Sequence, residues 1–288
     1  PQCPSMRMTC TKWACVALVF LGAACQQKTK TEAASNEQST AIDRTHVMHR
    51  TWLPPEAKHI AQLVVDTNED IWLVTTDEQL VRAQRNQPPT LVDVRLGSQA
   101  VDVSWVGVLG DQLWVVASHG GRSVAGMVQR KTGAMTVLEL SYEPRELAWS
   151  QGVLWYLSTD AFLYRHKGGK SERTETQKYL FLLGAKRTLI ARELEEQRLM
   201  ARQAKTGNWG PVHDFGGVPV GLGPDDGVVQ WVRGEESEDE SLPQHRLVMS
   251  GVDLLRGNIQ AAAATANVLA VVRVDGKRPV LEWREYRL

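Results

Sequence analysis

Apolar residues in this chain come in short runs separated by polar turns. From His59 the order is HIAQLVVD, TNED, IWLVTT, DEQ, LVRAQR, NQPP and TLVDVRL. Runs this short, rich in Val, Leu and Trp and bounded by turn residues, predict four strands. The pattern returns as VDVSWVGV, LGDQ, LWVVAS, HGGRS, VAGMVQR, KTGA and MTVLEL, and again as ELAWS, QG, VLWYLS, TDA and FLYRH. An apolar residue followed by Trp, just after a turn, marks each unit. The pairs Ile71-Trp72, Leu113-Trp114 and Leu154-Trp155 recur about 41 residues apart. Val228-Val229-Gln230-Trp231 marks a fifth unit and Val268-Leu269-Ala270-Val271 a sixth. The fourth unit is less regular. Residues 186–205 hold strong helix formers, and Leu189, Ile190, Glu193, Leu194 and Leu199 fit an amphipathic helix. Aligned with the other units, the same stretch reads as two strands, TLIAREL and RLMARQ, around Glu195-Glu196. Both readings stay open from the pattern alone.

A period near 40 with four strands per unit predicts an all-β fold, a six-bladed β-propeller over residues 45–288. A twisted four-stranded sheet has two apolar faces, and stacking such sheets around an axis buries both. The landmark tryptophans Trp72, Trp114, Trp155 and Trp231 are then wedges between blades, with ligand stacking as the alternative. Roughly 245 residues at about 41 per unit give six blades; seven would need about 35 each and break the spacing. The last unit supplies only IQAAAA, VLAVVRV and VLEWREYRL. The segment from His46 to Leu53 is expected to be its missing outer strand, closing the ring and removing an open edge.

The N-terminal region has a different pattern. Arg7 and Lys12 precede an apolar run, Trp13 to Ala24, which ends in Gly22-Ala23-Ala24 before Cys25. That is the layout of a secretory signal. The run is about a dozen residues, short of the roughly 20 needed to span a bilayer. The segment resembles a bacterial lipoprotein signal, with Gly22 where that signal usually carries leucine and Leu21 one place earlier. The resemblance implies a signal peptide over 1–24, with Met6 or Met8 as alternative starts, and lipidation at Cys25. Cleavage by an ordinary signal peptidase, or no cleavage, are the alternatives. Residues 25–44 then form a lipidated cysteine and a tether, since Gln26 to Arg44 holds almost no large apolar groups and cannot offset the entropy of ordering. Lipoproteins of enteric-type bacteria with aspartate after the cysteine tend to stay at the inner membrane. Gln26 therefore implies an outer-membrane lipoprotein, facing the periplasm or the exterior. The tether is expected to leave the outer edge of the last blade.

Composition narrows the classes. Of the four cysteines, Cys3, Cys10 and Cys15 lie in the expected signal and Cys25 would carry lipid. The body then forms no disulfide and must rely on its core. Lys plus Arg and Asp plus Glu are equal at 33 each and no basic stripe appears, so nucleic-acid binding lacks its electrostatic footprint. The repeat motif, best seen in IWLVTTDEQLVRAQ, resembles propeller repeats of sensor and binding proteins. Its plan is similar to the propeller lipoproteins that assist outer-membrane protein assembly, which have more blades and other repeat motifs.

In a propeller, the turns between second and third strands share a face with the blade-to-blade links. Here they bring Asp77 and Glu78, His119 and Arg122, Asp160, Glu195, Glu235 and Asp239, and Lys277 to one polar surface. These are the candidate loop-face residues, although turn chemistry alone selects many of them. The run Glu235 to Ser241 reads as a mobile tip or as bait for a basic partner or a divalent cation. His119 is a possible acid–base group only if a partner fixes its tautomer. No G-x-S-x-G elbow, H-E-x-x-H or phosphate loop appears. The chain is therefore expected to be a monomeric, non-enzymatic envelope module that binds a protein or peptide. No catalytic residue, metal or cofactor is expected. A metal-assisted lyase or lactonase, and a small-molecule or glycan sensor, are the rival functions.

Overall fold

The computed structural model describes residues 43–57, 59–184, 188–203, 206–234, 245–276 and 278–287. The expected signal, Cys25 and the tether through residue 42 lie outside them. Among the described residues the fold is all-β, with one 3-10 turn at Pro224–Asp226. The chain enters on β1 (Thr45–Trp52) and then forms an antiparallel meander, β2 (Ile60–Val65), β3 (Ile71–Thr75), β4 (Leu80–Gln84) and β5 (Gln87–Val92). A short hairpin, β6 (Arg95–Leu96) and β7 (Gln99–Ala100), leads to the second meander. This comprises β8 (Asp102–Leu109), β9 (Gln112–His119), β10 (Arg122–Val128) and β11 (Met135–Leu138).

A third sheet holds β12 (Pro144–Ser150), β13 (Val153–Ser158), β14 (Phe162–Lys167), β15 (Lys170–Gly184), β16 (Thr188–Glu193), β17 (Leu199–Gln203) and β18 (Trp209–Pro211). The long β15 serves twice. Its first part pairs with β14 and its second part with β16. The strand reading of residues 188–203 is therefore the one the structure adopts. A last sheet holds β19 (Val218–Leu222), β20 (Val228–Val232), β21 (His245–Met249) and β22 (Val252–Gly257), then β23 (Ile259–Ala264), β24 (Leu269–Asp275) and β25 (Arg278–Tyr286).

Burial explains the strands. Every residue of β3, Ile71 to Thr75, is buried, because neighbouring sheets cover both of its faces. The outermost β5 is largely exposed and contains Pro88 and Pro89. Gln87, Pro88 and Pro89 of NQPP, expected as a turn, thus join the strand. Proline is tolerated there because β5 pairs only with β4, and it blunts the open edge. Trp72 is fully buried and packs with Val103, Val106 and Leu113 of the second meander. Its indole N–H donates to Asp66 at 3.0 Å, and Arg130 reaches the same carboxylate at 3.2 Å. Trp155 packs with Tyr179, Leu182 and Ala191 in the same way. Each of these two tryptophans is a wedge between its own meander and the next. Trp231 departs from that alignment. It lies near the far end of β20, opposite Val218. Gly221 shows how close the inner strands come: at φ 150° it faces Ala264, and a Cβ there would stand 2.0 Å from the Ala264 carbonyl oxygen.

The two ends of the body meet. β1 pairs antiparallel with β25, from Thr45 opposite Tyr286 to Trp52 opposite Val280. Fully buried Trp283 packs against residues of the first meander and donates to the Glu69 carbonyl at 3.0 Å. Along the seam runs an ion chain, Arg50–Glu282–Arg284–Asp43. Asp43 and Arg44, expected at the end of a tether, are thus part of the body; the Arg44 N–H also donates to Leu254 O at 2.8 Å. The reason is Arg284, which is only 2% exposed and must find anionic partners. Burial alone would raise the Asp43 pKa, but its bonds to Thr45 and the Arg284 guanidinium outweigh that and hold it below the ordinary value. The seam therefore contributes stability at neutral pH that is lost as pH falls through this lowered pKa.

Arg284→Ala should lower unfolding stability by about 3–5 kcal/mol, because it leaves the buried Glu282 carboxylate without that partner. Arg50→Ala, at the half-exposed end of the chain, should cost less than about 1 kcal/mol. Urea melts at neutral pH check both; equal losses would show that the seam is not organised around Arg284.

Candidate functional site: the mouth of a central channel

β2, β8, β12, the second part of β15, β19 and β23 are the first strands of their meanders. Together they wall a channel with two cavities, of about 460 and 160 Å³. The larger is lined by the first half of these strands, the smaller by the second half. Both use Gln62, Trp105, Leu182 and Val220.

Hydrogen bonds place the loops at the larger cavity. The Thr76 N–H donates to His59 O, Thr159 to Glu143 O and Leu194 to Lys178 O. Each ties the turn after the second strand to the start of its own inner strand. Val103 N–H to Glu78 O and Tyr179 N–H to Ala161 O reach the neighbouring unit. The expected loop face is thus the face on which the larger cavity opens.

Every inner strand breaks register near this end, between Ile60 and Gln62, Val103 and Trp105, Pro144 and Glu146, Tyr179 and Phe181, Pro219 and Gly221, and Ile259 and Ala261. A bulge re-aims the side chain that follows it. Gln62 uses this to accept the Val106 N–H at 2.9 Å, and Glu146 to accept the Leu182 N–H at 2.7 Å. Both bonds bridge to the next inner strand just past its own bulge. Arg145 donates to the Tyr179 and Leu180 carbonyls at 3.0 and 2.6 Å. Its Nε stands 3.5 Å from Glu146. Phe181 and Trp231 also line the cavity, and beside them Leu180 and Val218 are 37% and 50% exposed. The Trp231 N–H donates to Ile259 O at 3.2 Å, and its ring lies 4.7 Å from His245. Burial, then the charge of Arg233, hold the His245 pKa below its ordinary value.

The sequence candidates sit around the face rather than in this cavity. Asp77, Glu78, Arg122, Asp160 and Glu195 are exposed on hairpin turns, and His119 is half-buried. Glu78 takes a left-handed conformation, φ 59°, that turns its carbonyl to Val103. Asp160 accepts from the Ser158 hydroxyl within its own turn. Glu195 borders a small hollow with Glu193, Glu196 and Lys178, while Arg122 borders a separate groove near Tyr142. None of His119, Asp160 and Glu195 lines either channel cavity. Glu235, Asp239 and Lys277 lie outside the described residues. Among the described residues, no three His, Cys, Asp or Glu side chains are grouped to hold a metal ion. Sequence reading missed Glu146 and Gln62. Their signal was a polar residue inside an apolar strand, in ELAWS and HIAQLVVD.

No family model and no curated protein matches the chain. Solved structures do. One from "Crystal Structure of Mitotic Checkpoint Complex" has 10% identity and a TM-score of 0.53, covering 92% of this chain and 99% of that one. The WD40 beta propeller domain of Doa1 has 10% identity and a TM-score of 0.52, covering 84% and 97%. A putative TolB from Agrobacterium tumefaciens has 11% identity and a TM-score of 0.52, covering 78% and 89%. The fold is a β-propeller. Identity this low carries the fold and nothing finer.

Burial raises the Glu146 pKa from 4.5 to about 7, against the pull of Arg145 and of the Leu182 N–H. The unfolded chain releases this proton first. The group's contribution to stability is therefore complete below about pH 4.5 and lost as pH rises to about 7, by roughly 3 kcal/mol. Glu146→Gln keeps an acceptor for Leu182 and should flatten that slope. Urea melts between pH 4 and 8 read it; an unchanged slope would mean the carboxyl is solvated.

Proposed function

We propose that this chain is a lipid-anchored, six-bladed propeller of the bacterial envelope that binds a polypeptide partner and performs no catalysis. The count of six is supported by reading β15 as the outer strand of one blade and the inner strand of the next, with β1 completing the last. The anchor rests on the signal-like segment that ends at Cys25. It points to an outer-membrane lipoprotein facing the periplasm or exterior.

The observation that carries the binding role is the channel mouth. Exposed Leu180 and Val218 adjoin Phe181 and Trp231 around a concave opening. Apolar and aromatic groups left in water beside a cavity are what an interaction surface supplies. A second reading, a small-molecule sensor, draws on the cavity itself, since about 460 Å³ lies within the range of ligand sites.

Affinity capture from native envelope membranes separates the two readings. Wild type should retain a polypeptide that the double variant Leu180→Asp, Val218→Asp loses. Cys25→Ala should abolish membrane partition, and the lipid mass on the mature chain, while leaving binding in solution intact. Capture that yields no polypeptide, together with a metabolite that raises Tm, would replace the scaffold reading by the sensor.

A further inference from the structure

We infer that the cavity at the channel mouth receives a lysine or arginine side chain of the partner polypeptide, with the Glu146 carboxylate as its counter-ion. The inference rests on the reading of this protein as a polypeptide-binding module and names the chemistry that the site would select.

Among the described residues, Glu146 is the one ionisable residue on the cavity wall. One of its oxygens is engaged by the Leu182 N–H. The other faces Arg145 Nε at 3.5 Å, too long for a charge-assisted hydrogen bond. The Arg145 guanidinium cannot turn to the carboxylate without giving up the two backbone carbonyls it serves on β15. A carboxylate 18% exposed thus stands at a mostly apolar wall with its charge incompletely compensated.

The rest of the wall fits the stem of a basic side chain. Leu182, Leu183, Val220 and Ala261 offer apolar contact for methylene groups, which lysine and arginine bury readily while the charged head stays with a partner. Trp231 adds an aromatic face that attracts a cation, and Phe181, whose ring already has the Arg192 guanidinium 6.0 Å from its centroid, adds apolar contact. An acidic side chain would meet like charge. A purely apolar one would bury the carboxylate further without pairing it. Leu180, beside the opening, and Val218, on the cavity wall, would hold apolar residues flanking the basic one.

The test selects a displayed library of random short peptides on the full-length chain. It then measures synthetic copies of the selected peptides by fluorescence polarisation. Selected peptides should be enriched in Lys or Arg beside apolar residues. Glu146→Gln, and replacement of the peptide's basic residue by Gln, should each weaken binding at least about tenfold. The two changes together should cost little more than either alone. Thermal melts confirm that Glu146→Gln folds, and Trp231→Leu, which keeps the wall apolar, should weaken the same peptides. Peptides without basic enrichment, or unchanged binding by Glu146→Gln, overturn the inference. If Leu180→Asp, Val218→Asp still abolishes that binding, the polypeptide-binding reading survives. A selection that yields no binding peptide counts against both.

Discussion

The structure depends on one constraint: each sheet carries two apolar faces and can bury them only against two neighbours. Every sheet within a propeller therefore needs a sheet on each side, and the last must find the first. That requirement falls on β1 and β25. Their pairing brings Trp283 against the first meander and places the buried Arg284 beside Glu282 and Asp43. A chain that carries no cysteine after Cys25 has no covalent staple for this seam. Strand pairing, an indole wedge and a buried ion chain take that role, supported by an ample core.

The same constraint creates the site. Inner strands driven together around an axis cannot all keep regular pairing, and each of them bulges near the loop face. The bulges turn polar side chains such as Gln62 and Glu146 across to the neighbouring strand. There they satisfy backbone N–H groups that the broken ladder leaves free. Bonds that knit the walls thus also set a carboxyl group at the mouth of a cavity. Its raised pKa has the same cause, since burial disfavours the charged form more than Arg145 restores it. Structural need and binding chemistry coincide at Glu146.

Much of the fold was legible because its signals are local. Trp72, Trp114 and Trp155 follow turns at a steady spacing, and that spacing counts the units. The stretch around Leu189 and Leu199 fits a helix or two strands by pattern, and pairing with β15 and β18 settles it as strands against the helix propensity of its residues. β15 was harder. Its fifteen residues cross from one sheet to the next with no turn between them, so no punctuation marks the boundary. Pro88 and Pro89 read as a turn because proline rarely enters a strand. Only an edge position with no second partner makes it acceptable. Trp231 carried the same residue type as the landmarks but sits at the other end of its strand, and the difference is visible only in the pairing register.

The candidate site was legible in its face but not in its residues. Turn chemistry drew attention to Asp77, His119, Asp160 and Glu195, which sit on hairpin turns of the loop face, where Asp160 bonds within its own turn. What the sequence determined by itself was periodic: alternating burial, turn positions and the spare strand before the first unit. Each depends on neighbours a few residues apart or on a count of repeats. What only the tertiary structure decided was convergent. The bulges, the channel, the partners of Arg284 and the environment of Glu146 arise where strands far apart in the chain meet. A side chain's solvation and charge there depend on groups that sequence order does not bring together.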